Sequence, residues 1–489
     1  MNAGKETVMK YPFNYTKRFK EKESVYAFDY AHLALAELDE LYNDCFDYYE
    51  ETTSYDDLLK KWPEDEIKEA IASLEELFEE GYYLSKDEVN YQFSEDYKKG
   101  LISLPPVHQC NLQCSYCFAD QGKVFHGEER SFTLEQVEKT LRFIYYNYMK
   151  DYKKFRIDFV SGGEPLLNFD VIRHVKQISD KLYEETGKPM ELWLCTNGTL
   201  LTDEIIKYLD ENNINIGISL DGDESQHDLI RQDVSGQGTY QKIVNNIARI
   251  KNNNELTRHT KDIWGLVVIT SKTKSLIEIL KHHESIGLKN VQMKIVRLEK
   301  GSEYAITKEN LQELKKKYDE LFDCFHEELN TNSVRYLRMI LNDNDFAGKI
   351  VRRLLLRYVV QNRCQAGKSK VSIAANGDLY PCDSFVGMEE YKLGNIDGEL
   401  NKESPFLKLT IHTNPPCSSC WARYLCGGDC YHNSCLVNGS IHEPDEIICE
   451  LEQHVIKRAL IYLNDLTNRA PGQHEFLVEL LEKRQKMLF

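Results

Sequence analysis

The chain has 489 residues, 42% of them hydrophobic and 29% charged, which reads as a water-soluble globular protein too long for one core, so two to four domains are expected. Sixty-one basic residues against 79 acidic ones leave a formal charge of −18, which repels a phosphate backbone and argues against a nucleic-acid partner. No run approaches the ~18 apolar residues of a spanning helix, and MNAGKETVMKYPFNYTKRFKEKES holds no apolar signal region, so a cytoplasmic protein without a membrane partner is expected, and its fourteen cysteines point to metal or redox sites rather than disulfides.

Residues 1–84 are expected to form a separate N-terminal unit. VYAFDYAHLALAEL, rich in β-branched and aromatic residues, accommodates a strand or two, and two helices follow. Pro63 opens the second helix at a favoured first-turn position, Ile67, Ile71, Leu74 and Phe78 recur at helical spacing, and Gly81 closes it. Residues 85–100 (SKDEVNYQFSEDYKKG) read as a polar linker.

From residue 101 to 300, LISLPPV, FRIDFV, ELWLCT, INIGISL, DIWGLVVI and VQMKIV read as strands. Helical stretches near 134–149, 170–186, 203–212 and 273–286 separate them. Strand–helix units in series predict a parallel sheet, wound open or as a partial barrel, with its active site at the C-terminal strand ends. Residues 301–362 read as a charged helical bridge, 363–465 as a cysteine-dense domain, and 466–489 as a closing helix within a tail that is helical from about 446.

Cys110, Cys114 and Cys117 stand in HQCNLQCSYCFADQG, directly after the first candidate strand. Three thiolates at these intervals can wrap one [4Fe–4S] cubane and leave one iron without a protein ligand, whereas electron carriers use four. Zinc prefers four ligands in pairs, which a lone triplet supplies poorly.

CxxxCxxC after the first strand of an α/β chain resembles the radical S-adenosylmethionine (SAM) superfamily. The resemblance implies a partial (β/α)6 TIM-like barrel. It also implies that SAM binds the open iron through its amino and carboxylate groups and is cleaved by one electron to a 5′-deoxyadenosyl radical, which abstracts a hydrogen atom. Ser161-Gly162-Gly163-Glu164-Pro165 resembles the superfamily's GGEP loop, whose backbone and glutamate hold SAM's amino group, and glycine permits the close approach. By the same resemblance Phe118, Thr196, Asn197, Ser219 and Asp221 line the SAM pocket. Arg231 is similar to an arginine near the SAM carboxylate, a surface position being its other reading.

The later cysteines resemble the SPASM domain, which carries two auxiliary clusters. The resemblance assigns Cys417, Cys420, Cys426 and Cys449 to an outer cluster and Cys364, Cys382 and Cys430 to an inner one, left one ligand short. The implied cofactors are three [4Fe–4S] clusters and SAM. An open inner iron that takes a substrate thiolate is the expectation; closure by Cys435, Cys324 or a non-cysteine group is the alternative. Cys45 and Cys195 fit no cluster and read as core cysteines. Asp383, next to Cys382, resembles the proton acceptor of anaerobic sulfatase-maturing enzymes and is a candidate base, with a hydrogen bond to the cluster loop as its structural alternative.

CFADQGKVFHG, TNGTLLTDEII, NGDLYPCDSFVG, YKLGNIDG and SIHEPDE are similar to stretches of the SCIFF and ranthipeptide maturases, over most of residues 25–465. That likeness implies a winged-helix-like leader-recognition unit in residues 1–84, with a sheet edge for strand addition. It further implies a cysteine-containing precursor peptide as partner, a thioether as product, and a reductant such as flavodoxin or ferredoxin. A formylglycine or carbon–carbon maturase is the neighbouring reading, and a zinc-binding adaptor without catalysis is a third.

Overall fold

A computed structural model describes residues 15–79, 99–126, 130–160, 162–253, 257, 262–401 and 403–487. The expected helix stop at Gly81, residues 85–98 of the expected linker, and Ser161 lie outside the described residues.

The N-terminal unit is an antiparallel sheet of β1 (Thr16–Glu21), β2 (Ser24–Asp29) and β3 (Ala34–Leu38), in that order, followed by α1 (Glu40–Tyr49), α2 (Tyr55–Leu59) and α3 (Glu64–Glu79). This is more than the strand or two and two helices expected. The strand TKRFKE hid behind its charges, with Phe19 its one buried side chain, and α2 is too short to show a period. Asp39 and Ser54 cap α1 and α2 by accepting backbone N–H bonds. Cys45, Phe46, Ala70 and Leu74 close a small core beneath the helices.

The central sheet runs β4 (Lys99–Ser103), β5 (Lys154–Phe159), β6 (Met190–Thr196), β7 (Asn215–Ser219), β8 (Trp264–Ile269) and β9 (Asn290–Ile295), all parallel and in chain order. All the candidate strands are present. β4 begins two residues inside the expected linker, because Lys99 and Gly100 already pair with Lys154 and Phe155. Between the strands lie α4 (Leu134–Phe143), α5 (Phe169–Thr186), α6 (Asp203–Glu211), α7 (Glu224–Ile230), α8 (Tyr240–Asn252) and α9 (Leu276–Ser285). A capping box of Thr133 and Gln136 opens α4.

Strand alternation sorts this sheet into two faces. Ile157, Leu192, Leu194, Ile216 and Ile218 pack outward in the core under the helices. Arg156, Asp158, Trp193, Cys195, Ser219, Leu266, Gln292 and Lys294 instead line one cavity of about 340 Å3. A flat sheet cannot aim one face of β5 to β9 into a single cavity, so the strands curve into a partial barrel.

After β9 come α10 (Leu311–Leu329), α11 (Arg335–Ile340) and α12 (Gly348–Leu355), then the short strands β10 (Lys370–Ile373), β11 (Asp378–Tyr380) and β12 (Gly394–Asn395). These strands extend the central sheet, in the order β12-β11-β10-β4, with β10 parallel to β4. The cysteine-rich segment is thereby stitched to the barrel's first strand. α13 (Pro415–Ser418), α14 (Arg423–Cys426), α15 (Tyr431–Asn438), α16 (Glu446–Arg469) and α17 (Pro471–Met487) complete the chain. The boundary expected between residues 465 and 466 falls inside α16, whose apolar face runs on through Leu466 without a break.

The N-terminal sheet docks on this tail. Phe19, Phe28 and Tyr30 share a core with Phe325 of α10 and with Val455 and Tyr462 of α16, and Arg458 pairs with Glu21 at 3.1 Å. Among the described residues no helix is long and apolar enough to cross a membrane.

Candidate active site

The loop after β4 carries Cys110, Cys114 and Cys117 to the cavity mouth. A turn in which the Cys117 N–H donates to the Cys114 carbonyl at 3.1 Å folds the loop on itself. Each sulfur meets an N–H donor: Cys110 faces Asn197 Nδ2 at 3.9 Å, Cys114 faces Arg231 Nη1 at 3.8 Å, and Cys117 faces the Gln121 backbone N–H at 3.4 Å. Burial pushes the Cys114 thiol up to about 11 even though Arg231 pulls it down. Donors converging on three thiols suit sulfur that carries negative charge, as in an iron–sulfur site, where binding iron displaces the thiol protons.

The loop after β5 lies directly beneath. A side chain at Gly163 would place its Cβ 2.0 Å from the Gln109 carbonyl oxygen, so only glycine fits. Gly162 and Gly163 line the cavity, and Pro165 opens the turn Pro165–Asn168 that leads into α5. Glu164 is buried and burial raises its pKa. Its carboxylate accepts from Thr196 Oγ1 at 2.6 Å, the Asn197 N–H at 2.7 Å and the Leu166 N–H at 3.1 Å. Glu164 thus also braces the ends of β5 and β6.

Ser219 and Arg231 line the same cavity. Asp221 is buried; it accepts from Arg231 Nε at 2.8 Å, from the Val268 N–H at 2.8 Å and from the Tyr116 hydroxyl. Arg231 is therefore not a surface residue: its guanidinium is divided between Asp221 and Cys114. Phe118 faces the cavity and carries the Arg297 guanidinium 5.1 Å from its ring centre.

Cys364, Cys382 and Cys430 form a second group. Cys364 precedes β10, Cys382 follows β11, and Cys430 is the residue before α15. β10 pairs with β4, and Arg297, just past β9, reaches Cys430, so the group adjoins the barrel. Burial, Asp383 and the other two thiols push Cys382 up to about 12, against Lys370. Arg297 Nη1 lies 3.6 Å from Cys430 Sγ, and Lys370 pairs with Asp383 at 2.9 Å. Arg297, Lys370 and Asp383 all line the cavity. Cys435 lies one turn beyond Cys430 on α15, 3.5 Å from the Tyr391 hydroxyl. Cys324 is on α10 among Lys281, Glu327, Glu328 and Arg335.

Cys417, Cys420, Cys426 and Cys449 line a separate cavity of about 650 Å3. Gly427 takes φ +77° and a Cβ there would stand 2.7 Å from the Arg363 backbone nitrogen, so the turn after Cys426 requires glycine. Burial and then the Glu452 carboxylate push Cys426 up to about 12. Glu452 is buried between Lys349 at 2.6 Å and Arg363 at 3.2 Å, and Arg363 also donates to the Gly428 carbonyl. Among the described residues no three His, Cys, Asp or Glu side chains gather tightly enough to chelate one ion. The quartet surrounds room for an inorganic cluster, and the donor set of thiols alone fits iron–sulfur chemistry.

The profile of the radical SAM superfamily matches residues 104–266, and that of the SPASM iron–sulfur cluster-binding domain matches residues 364–421. The chain carries a radical SAM domain and a SPASM domain. A cysteine-type anaerobic sulfatase-maturating enzyme of Clostridium perfringens is 27% identical over 354 residues, spanning 68% of this chain and 88% of that one. A serine-type counterpart of Bacteroides thetaiotaomicron is 23% identical over 66% of this chain and 80% of that one. The structure of native anSMEcpe with bound AdoMet shares the fold at a TM-score of 0.60 and 22% identity, covering 76% of this chain and 99% of that one. The same protein has also been solved with bound AdoMet and Cp18Cys peptide.

Cavity residues of this radical SAM domain also include several the sequence reading missed. Cys195, read as a core cysteine, faces the lumen beside Asp158, Arg156 and Lys294. Alternation within ELWLCT places Cys195 on the face of Trp193, the signal that identifies it. Arg156, Asp158 and Lys294 are the charged groups that this pattern places at the site, and Arg297, just past the end of β9, also lines the cavity.

Proposed function

We propose that the enzyme modifies a ribosomally made, cysteine-containing peptide by forming thioether cross-links. The observation that carries this reading is the inner group: three cysteines, with Asp383 and Arg297 between them and the barrel cavity. Cys364, Cys382 and Cys430 would hold the inner cluster, Cys417, Cys420, Cys426 and Cys449 the outer one, and Cys110, Cys114 and Cys117 the one that binds SAM. Bound clusters and SAM would supply a 5′-deoxyadenosyl radical that takes a hydrogen atom and a sink for the electron released on bond formation. In this reading Asp383 accepts the proton of the substrate thiol. Glu164 and the glycines of its loop orient SAM, Phe118, Thr196, Asn197, Ser219 and Arg231 enclose it, and Asp221 holds Arg231 in place.

The N-terminal unit supports a peptide partner. Its three strands come before its helices, and β3 pairs only with β2 among the described residues, leaving an edge to which a leader strand can add. The peptide bound by the structurally similar anSMEcpe agrees with a peptide substrate.

Anaerobic co-expression with the cysteine-rich peptide encoded nearest the gene tests the reading. Mass spectrometry should show two hydrogens lost per bridge and no alkylatable thiol at the bridged cysteines. Formylglycine formation is favoured by the sulfatase-maturating relatives and by Asp383 beside Cys382; it would instead exchange the sulfur of one cysteine for a carbonyl oxygen.

A further inference from the structure

Arg297 joins the two cysteine groups that flank the cavity. Its guanidinium donates to Ser384 Oγ at 2.7 Å and approaches Cys430 Sγ to 3.6 Å, while its other contact, the Phe118 ring, belongs to the residue after Cys117. Its direct hydrogen-bond partners are a neutral hydroxyl and a sulfur. A half-buried cation with such partners is best matched by a sulfur that carries negative charge. Lys370, the other cation beside the inner thiols, is already paired with Asp383 at 2.9 Å.

We propose that Arg297 sets the reduction potential of the inner auxiliary cluster, holding it more positive than the thiolate set alone would. This rests on the reading that Cys364, Cys382 and Cys430 ligate that cluster. Reduction adds one negative charge to a centre that thiolates already make anionic. A half-buried cation beside the cluster, and an N–H directed at a ligand sulfur, both stabilise the added charge. Arg297 is thus a positioning and tuning residue of the electron-accepting side of the site, acting through Cys430. Its contact with Phe118 fixes the guanidinium on the side facing the SAM loop.

The test is potentiometric titration of the full-length, iron-reconstituted chain, followed by electron paramagnetic resonance. Replacing Cys110, Cys114 and Cys117 together by Ala in every sample silences the first centre. The outer cluster then serves as the internal reference. Arg297→Gln should lower the inner midpoint so that the reduced-to-oxidised ratio at fixed potential falls at least tenfold, equal to ~59 mV for one electron. The outer midpoint should not move, and Arg297→Lys should restore most of the shift. An unchanged inner midpoint in Arg297→Gln at full iron content overturns the proposal. If that variant loses its inner cluster, Arg297→Lys and Ser384→Ala decide: both should shift the midpoint negatively by smaller amounts, and unchanged midpoints in both overturn it. A wild-type chain without any inner-cluster signal would overturn the ligand assignment and this inference together, a result distinct from a cluster that ignores Arg297.

Discussion

Lys370 pairs with Asp383 at 2.9 Å, and both side chains line the barrel cavity, Asp383 directly after Cys382 in the chain. The ion pair keeps a carboxylate aimed into the site. Asp383→Asn should therefore lower peptide modification by about 10²–10⁴-fold, the usual worth of a positioned base. Release of 5′-deoxyadenosine and total iron should persist. Product and deoxyadenosine are quantified together by liquid chromatography and mass spectrometry; a wild-type product yield per deoxyadenosine would remove Asp383 from the chemistry.

Arg231 and Asp221 form a buried pair at 2.8 Å, with side chains 10% and 1% exposed. Arg231→Met leaves the Asp221 carboxylate buried without its cation and should destabilise the chain by about 3–5 kcal/mol. Urea denaturation of the iron-free protein measures this. The change should appear in the transition midpoint with an unaltered slope. A loss below about 1 kcal/mol would mean that the backbone N–H of Val268 and the Tyr116 hydroxyl suffice for Asp221.

The barrel was legible because each strand is a short segment with apolar residues on its helix-facing side, bounded by polar turns, and because HQCNLQCSYCF and SGGEP sit at strand ends where parallel α/β folds place their chemistry. The β10–β11 hairpin escaped, although Asn376-Gly377-Asp378 between KVSI and LY is a recognisable turn, with Gly377 at φ +82°. Its pairing with β4 spans more than 260 residues of chain, and no local pattern encodes such a partner. The sequence singled out the cysteines by their spacing, but the cations that line the cavity, Arg297, Lys370 and Lys294, become visible only once the curvature of the sheet is known.

His227 is buried, and its Nδ1 accepts the Asp221 N–H at 3.2 Å, so a proton added there would break a hydrogen bond as well as bury charge. Burial pushes His227 down to about 4. The unfolded chain, with an ordinary histidine near 6.5, then binds more protons than the folded one between these values. The stability that neutral His227 supports is fully present above about pH 6.5 and lost as pH falls towards 4, at up to 1.36 kcal/mol per pH unit. In denaturation of the iron-free chain across this range, His227→Gln should flatten the acid slope by close to one proton. Parallel slopes for variant and wild type would reject the depressed value.

Cys449 stands in the first turn of α16, which is anchored independently by Glu452 between Lys349 and Arg363 and by Leu451, Val455 and Tyr462 in the core. Its thiol can be removed without unfolding the helix. Cys449→Ala should lower bound iron by about four atoms per chain, one cubane. Cys45→Ala, in the small N-terminal core, should remove none. Equal iron in both variants would exclude Cys449 from the quartet.

Cys435 decides whether the inner group is closed by the protein. It lies on α15 one turn past Cys430, with its sulfur 3.5 Å from the Tyr391 hydroxyl, and Tyr391 in turn packs edge-on against Phe385. The thiols that act on Cys382 are Cys430 and Cys364. Reaching the inner centre would require Cys435 to abandon its tyrosine and disturb the aromatic layer of Phe385, Tyr391 and Phe406. Cys435→Ala should therefore keep its full iron and the inner cluster's resonance signal, whereas Cys430→Ala should lose about four irons. Loss of that signal in Cys435→Ala would make Cys435 the fourth ligand and leave no iron corner for a substrate sulfur.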